Sequence, residues 1–521
     1  MKCFIGRIFL IAIVFLMAVT VWADDTPQQQ KKSAGETINM TLADAVSLAL
    51  RSNRDIAITY LGRVIQKYNL RIAEAEFLPN IRMDIAAGST YTDTYTTTMG
   101  SRSKVLTESM EAGATVSATQ KLPTGAQFTF SWENQNTDVR TKTDGSSVSA
   151  SNTAAQWSLD LSQPLLKGGG LEYTRAALVK ARLTEQENLL GLRDSISSTI
   201  VSVIAAYNSF YQSSRNVKIR RAALEEAKKQ LETNKILVKA GRMATNELIQ
   251  SEAQVADQEF SYEEAINTLD TNLLTLIDIL DIGRETNIVP ADDVFLRELT
   301  PDFKTCLDMA LKSNGSYIKA LNNVSRRELE LMEEENSRLW DLSLSAGYEE
   351  NYDTYPWRGN ADDDKGRDWN VGLNLTVPFE LYGNDRLVKR RRLLQAKKNL
   401  KVVRLNMEEA RGDLETNVLN AVRNVHTQLK LLARSRKSLD LATQRLAVEK
   451  TKLNVGRSTL FQVVSFQNSL VDKQEAEVNQ TISYLTSLTT LDKLLGTTLD
   501  TWNIEIQSNS QALEQELMDY R

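Results

Sequence analysis

The chain has 521 residues, enough for two or three ordinary domains, with 42% hydrophobic and 25% charged residues. Its formal net charge of −5 gives no reason to expect a nucleic-acid partner. One histidine, His426, and two cysteines, Cys3 and Cys306, make neither a catalytic triad nor a zinc site, so an enzyme is not expected and neither cofactor nor metal is implied.

The N-terminus reads as a signal peptide over 1–23. Lys2 and Arg7 precede an apolar run from Ile8 to Val19, and Val21-Trp22-Ala23 fits a small-residue cleavage site; a single membrane anchor is the other reading. Residues 24–39 are polar and read as disordered. The mature chain keeps only Cys306, so no internal disulfide is expected. No later apolar segment approaches the ~18 residues a spanning helix needs, so any membrane crossing falls to β-strands.

From Leu42 to Phe77 apolar residues recur at helical spacing, which predicts an opening helix. Strands follow over about 79–164. Ile81, Met83 and Ile85 alternate with polar residues, as do Trp157, Leu159 and Leu161. Between them Ala114, Val116 and Ala118, then Pro123 and Gly125, then Phe128, Phe130 and Trp132 read as an extra hairpin near 112–134, either in the strand wall or extended beyond it. Pro164 closes the last strand, and Gly168-Gly169-Gly170 reads as a strand-to-helix swivel; the Lys-Ser/Thr of a phosphate loop is missing. A proline-free helix then runs to Gly241-Arg242, roughly 100 Å at 1.5 Å per residue, and a shorter helix returns to about Ile282.

After a linker at 284–300 the same order begins again. Leu-Ala-Asp-Ala-Val-Ser-Leu-Ala-Leu-Arg-Ser-Asn at 42–53 is echoed at 303–314, Leu159-Asp-Leu-Ser-Gln-Pro-Leu returns as Leu373-Asn-Leu-Thr-Val-Pro-Phe, and Gly241-Arg242 returns as Gly456-Arg457. The helical seam Leu224, Ala227, Leu231, Asn234, Val238 reappears 215 residues later as Leu439, Ala442, Leu446, Glu449, Leu453, with the polar slip in the same place. The chain is a tandem duplication. Its first repeat spans 40–283, with a helical hairpin over 171–282. The second spans 301–498: an opening helix over about 303–338, two strands within 340–378 ending at Pro378, a swivel at Gly383 and a hairpin over 385–496. A tail follows at 499–521, in which Trp502, Ile504 and Ile506 alternate and suit one more strand. Four strands are expected in the first repeat and two in the second.

The fold class is therefore mixed α+β: short β-strand segments beside long coiled-coil hairpins. Six strands do not close a barrel alone, yet an open edge is forbidden in lipid, so strands placed in a membrane must share one barrel among several chains. Trp132, Trp157, Trp340, Trp357 and Trp369 lie in or beside the strands, as aromatic girdles do; ordinary strand preference is the other reading.

In order, Leu42-x-x-Ala45 with Ala49-Leu50-x-x-Asn53, Leu78-Pro79, Gln163-Pro164-Leu165-Leu166-x-Gly168-Gly169, and Gly241 and Gly456 resemble the TolC-like outer-membrane efflux proteins (outer membrane factors) from Met40 to Gly496. The resemblance implies a homotrimer in the outer membrane of a Gram-negative type envelope, with a shared barrel and a periplasmic helical tunnel. Its implied partners are a periplasmic adaptor protein, an inner-membrane transporter and outer-membrane lipid, in drug efflux or type I secretion. It also implies that the turns at Gly241, Arg242, Gly456 and Arg457 form the periplasmic tip. Two aspartate positions of relatives match Gln462 and Ser465 here, while Glu247 matches an acidic position; Glu247 reads equally as a solvated first-turn carboxylate. The rival function is a trimeric structural or adhesive coiled-coil spacer without a lumen. Asp362-Asp363-Asp364 and Lys389-Arg390-Arg391-Arg392 read as solvated charge, the latter also as a contact for lipid phosphates.

Overall fold

The structure, a computed structural model, describes residues 37–98, 101–241, 244–291, 298–357, 360–377, 384–504, 515 and 518. The expected signal peptide, Arg242, Pro378 and Gly383 lie outside these residues.

Thr37–Met40 form a strand, β1, where the sequence suggested disorder up to residue 39. Helix α1 (Leu42–Ser52) starts on a capping box: Thr41 Oγ1 accepts from the Asp44 N–H, and the Asp44 carboxylate accepts from the Thr41 N–H. The opening helix expected over 42–77 is two helices, because Asn53 ends α1 and caps α2 (Arg54–Ala75). Its Oδ1 accepts from Asp55 N at 3.0 Å and Ile56 N at 3.2 Å, while its Nδ2 donates to Ile279 O at 3.0 Å.

Four strands follow: β2 (Asn80–Thr98), β3 (Ser101–Lys121), β4 (Gln127–Thr143) and β5 (Ser146–Pro164). Helix α3 (Leu171–Lys239, 69 residues) and α4 (Thr245–Leu280) form the first hairpin. The expected linker contains a strand, β6 (Asn287–Pro290), which pairs in parallel with β1.

The second copy repeats the plan with α5 (Phe303–Ser313), α6 (Gly315–Asn336), β7 (Asp341–Trp357), β8 (Asn360–Thr376), α7 (Asn384–Asn454, 71 residues) and α8 (Leu460–Leu495). Asn314 breaks the expected helix over 303–338 as Asn53 does the first. Its Oδ1 accepts from Tyr317 N and its Nδ2 donates to Leu494 O, each at 3.0 Å. The expected tail begins ordered: α9 (Thr498–Thr501) buries Leu499, and Trp502 and Ile504 pack on the first core instead of forming a strand.

Two cores hold the helices. The first gathers Ile196, Ile200, Val203, Tyr207 and Phe210 of α3 with Leu276 and Leu280 of α4, Ala45 and Ala49 of α1, and Ile288 of β6. The second gathers Val418, Val425 and Leu432 of α7 with Tyr484 and Leu491 of α8 and the free Cys306 of α5. By length and composition α3 does contain a window apolar enough to span a membrane, contrary to the sequence expectation. One face of its apolar stretch, with Ile196, Ile200, Val203, Tyr207 and Phe210, is buried in the first core.

Asn53→Ala is expected to lower stability by about 1–2 kcal/mol through loss of the cap. Asn53→Asp is expected to restore part of this, because it keeps the acceptor but not the donor to Ile279 O. Thermal unfolding of the purified variants checks both.

Candidate channel wall, swivel and helical tips

The six long strands form one meander, β2-β3-β4-β5-β7-β8, with every pair antiparallel. The extra hairpin lies inside the sheet, between β2 and β5. The strands are 17–21 residues long, so "short segments" was an underestimate. Only their lower parts show apolar alternation. The upper part of β2, Ser89–Thr98, is mostly Thr, Ser and Tyr, and carries no apolar period.

Directly opposed residues share a face in an antiparallel sheet, so the register sorts the side chains. One row reads Met83, Val116, Trp132, Trp157; the next reads Ile81, Ala118, Phe130, Leu159, Tyr348, Trp369; a third reads Phe128, Leu161, Ala346, Val371. Leu344 faces Leu373 and Leu342 faces Leu375 in continuation. This apolar band crosses all six strands. It covers three or four outward positions on each, about 20 Å along a strand at ~3.3 Å per residue, comparable to the apolar belt of membrane barrels. Aromatic rings run along its upper margin, with Trp157 and Tyr348 centroids 5.1 Å apart. Above them charge resumes: Glu108 opposes Arg140, and Lys365 sits over the Tyr352 ring at 5.2 Å.

The other face is polar over the same depth, with Val105, Val139 and Val148 appearing only higher on it. Arg82, Ser117, Ser131, Ser158, Glu349 and Asp368 make one row; Asp84, Thr115, Glu133, Gln156 and Asn351 make another. Glu111, Asp160, Asp353 and Asp364 lie on it too, whereas its cations, Arg82 and Lys121, are engaged by Asp84 and Glu76.

β2 and β8 are the sheet's edges, and their apolar side chains are among the most exposed of the chain: Ile85 at 74% and Trp369 at 76%. Among the described residues neither edge has a strand partner on its outer side.

Below the sheet the first swivel is locked. Gly168 and Gly170 have φ of +80° and +99°, the left-handed region that favours glycine. A Cβ on Gly169 would lie 2.3 Å from Pro164 O, so this site also excludes side chains. Gly168 N donates to Asn336 Oδ1 at 2.7 Å, Gly170 N donates to Thr124 O at 3.1 Å, and Gln163 Nε2 donates to Thr124 O. Thr124 and Asn336 were not singled out in the sequence. Their partners are 39 to 168 residues away, so no local pattern marks them.

At the far ends of the hairpins Gly241 and Gly456 turn the chain with φ of +71° and +76°. Glu247 lies exposed in the first turn of α4. In α8 Gln462 is half-buried, Ser465 is exposed, and Arg457 is exposed at the turn. Gln462 lines a cleft of about 540 Å³ with Arg445, Glu449, Lys452 and Phe466, and Arg445 lies 4.1 Å from the Phe466 ring centroid. The seam's polar slip is satisfied in both copies by different means. Asn234, fully buried, donates to Ser251 Oγ at 2.7 Å. Glu449 accepts from Ser458 Oγ at 2.6 Å and pairs with Lys452 at 3.1 Å. Ion pairs Arg220–Glu475 and Lys450–Glu226 and the Gln254–Asn468 hydrogen bond tie the two hairpins together.

The Ser458 hydroxyl, and then Lys452, hold the Glu449 carboxyl below its usual range. A lowered folded pKa gives stabilisation that is complete above the ordinary glutamate value and is lost as pH falls through the folded one. Proteolytic nicking of the turn at 455–459 is therefore expected to rise on acidification below about pH 4.3. Glu449→Gln is expected to nick faster at neutral pH and to lose that further rise.

Residues 307–497 match the family model for outer membrane efflux proteins. No curated protein matches the sequence. Among solved structures the chain is similar to the Campylobacter jejuni CmeC outer membrane channel, at 16% identity over 92% of this chain and 89% of that one, with a TM-score of 0.59. It is also similar to the outer membrane protein VceC of Vibrio cholerae (14% identity, 87% and 96% covered, TM-score 0.59). The open-state MtrE outer membrane channel of Neisseria gonorrhoeae gives 14% identity, 87% and 88% coverage and a TM-score of 0.55. At such identities these likenesses concern the fold. Residues 307–497 thus carry the sequence pattern of outer membrane efflux proteins, and both repeats share the fold of the solved outer-membrane channels.

Proposed function

We propose that the chain is one third of a passive export duct: the outer-membrane component of a tripartite efflux or type I secretion system. One observation carries this reading, the six-stranded sheet with an apolar face, an acidic polar face and two unpaired edges. In hydrocarbon an unpaired backbone group costs several kcal/mol, so such a sheet is stable there only when its β2 edge meets the β8 edge of another copy. Three copies, the number implied by the family resemblance, close the wall with the apolar face to lipid and the polar face to a water-filled lumen.

The helices support the same assembly. On α2, Ile58, Ile65 and Ile72 are 65%, 61% and 66% exposed and spaced by seven, a coiled-coil seam without a partner among the described residues. On α7, Leu387 and Leu394 are exposed at the same spacing. Hairpins of about 100 Å then continue the barrel as a periplasmic tunnel. The turns at Gly241 and at Gly456-Arg457 form its tip, and Glu247, Gln462 and Ser465 lie near its entrance. The adaptor and the inner-membrane transporter dock there, and the transporter selects the cargo. The lumenless spacer is the weaker reading, since it gives the carboxylate-rich face nothing to line.

Detergent-solubilised protein is expected to have the mass of three chains and to form cation-selective channels in planar bilayers. Asp368→Asn combined with Glu349→Gln is expected to lower the cation-to-anion permeability ratio severalfold while leaving the trimer intact. A monomer, or trimers that stay electrically silent even with tips loosened by the Gly456 turn variant Gly456→Pro, would defeat the duct reading.

A further inference from the structure

We infer that the assembled wall has eighteen strands, so that its bore is wide enough to admit solutes of several kilodaltons and the barrel itself sets no size limit on drug-sized cargo. The inference rests on the three-chain duct proposed above and concerns its width.

Each chain brings six strands to one uninterrupted meander. The count depends on β3 and β4, which have no counterpart in the second repeat, where β7 and β8 alone occupy the corresponding stretch. Two independent observations put this extra hairpin in the wall. Its strands pair along nearly their whole length on both sides, β3 with β2 from Asn80↔Thr119 to Thr98↔Ser101, and β4 with β5 from Gln127↔Ser162 to Thr143↔Ser146. A hairpin folded into the lumen or standing clear of the membrane would leave β2 and β5 to pair with each other. Its outward residues also continue the apolar band without a gap: Ala114, Val116 and Ala118 on β3, and Phe128, Phe130 and Trp132 on β4. A plug or a solvated loop needs no such band.

The hairpin's lower turn fixes its depth. Leu122–Ala126 sits against the swivel, with Gly125 so close that a Cβ would lie 2.8 Å from Gly168 O, and Gly170 N donates to Thr124 O. The extra strands thus start at the same level as β5 and run parallel to the rest of the wall.

Strands about 4.8 Å apart and tilted about 40° give eighteen of them a backbone radius of about 18 Å, against about 12 Å for twelve. After inward side chains are subtracted, the free radius is about 12 Å in the first case and about 6 Å in the second. Ser, Thr, Asn and carboxylate side chains line this bore, with no large apolar residue in the rows traced above to constrict it. Closure at the membrane level is therefore left to the helical end.

Deleting residues 99–145 joins Thr98 to Ser146 and leaves β2 next to β5 in antiparallel order, a permitted four-stranded chain. Poly(ethylene glycol) of graded size, added to planar bilayers from the strand side only, reads the bore. Wild-type channels are expected to admit polymers of about 10 Å hydrodynamic radius, and the deletion variant to exclude those above about 6 Å. Cryo-electron microscopy of the wild-type trimer counts the wall strands directly, whether or not the variant folds. Conducting trimers with twelve wall strands, or exclusion of polymers above about 6 Å by the wild type, overturn this inference and leave the duct standing. Absence of trimers or of conduction overturns the duct itself.

Discussion

The backbone hydrogen bonds along the two outer strands are the constraint from which the rest follows. β2 and β8 each leave an outer row of N–H and C=O groups without a strand partner among the described residues, on strands that also present exposed Ile81, Met83, Ile85, Trp369, Val371 and Leu373. In water such an edge invites aggregation; in lipid it is not tolerated. With the apolar band in lipid, as proposed, the edges demand further copies, and the sheet is a sector of a larger closed wall.

In the proposed duct the helices answer a different demand, to carry that wall's circumference across a compartment. Helices of 69 and 71 residues cannot rest on intrinsic propensity; they need side-by-side packing along their length. The packing is not uniform. Around the middle of the long helices it is dense, with Tyr207 and Tyr484 fully buried and their hydroxyls tied to Met40 O and to Leu299 N. Toward the tips the seam admits Asn234 and Glu449, and the contacts between hairpins become polar, as in Lys450–Glu226 and Gln254–Asn468. Polar pairs exchange with water at little net cost, whereas apolar cores do not. The distal ends are thus the softer part of the structure, consistent with an entrance that opens there.

What the sequence disclosed was whatever has a period or a forced conformation. The seam at Leu224–Val238 and its copy at Leu439–Leu453, the alternation around Ile81, Trp157 and Leu373, and the turns at Gly241 and Gly456 are all local signals. Asn53 and Asn314 stood out in the repeat, but not as helix breakers, because an asparagine among helix formers gives no sign of the carbonyl 226 or 180 residues away that it binds. The full strand lengths were hidden because polar strand tops alternate Thr with Ser or Asp, and no hydrophobic period survives. β1 and β6 are four residues each and pair only with each other, too short for any pattern. The swivel's glycines were visible, but Asn336 and Thr124, which hold them, were not.

Charge placement links the wall to the tip. At the tip Gln462 and Ser465 are neutral, and Glu449 is matched by Lys452 and Ser458, which leaves Glu247 as the exposed carboxylate among the entrance positions. On the polar face of the sheet Glu133, Asp160, Glu349 and Asp368 meet no cation of that face, since Arg82 and Lys121 are already held by Asp84 and Glu76. Salt screens each of these charges beyond about 8 Å, so a lone Glu247 influences only what passes directly beside it. Carboxylates repeated along strands some 60 Å long act on a solute through most of its passage. In the proposed duct the field that discriminates cations from anions therefore belongs to the wall, and the tip is left to govern whether the passage is open.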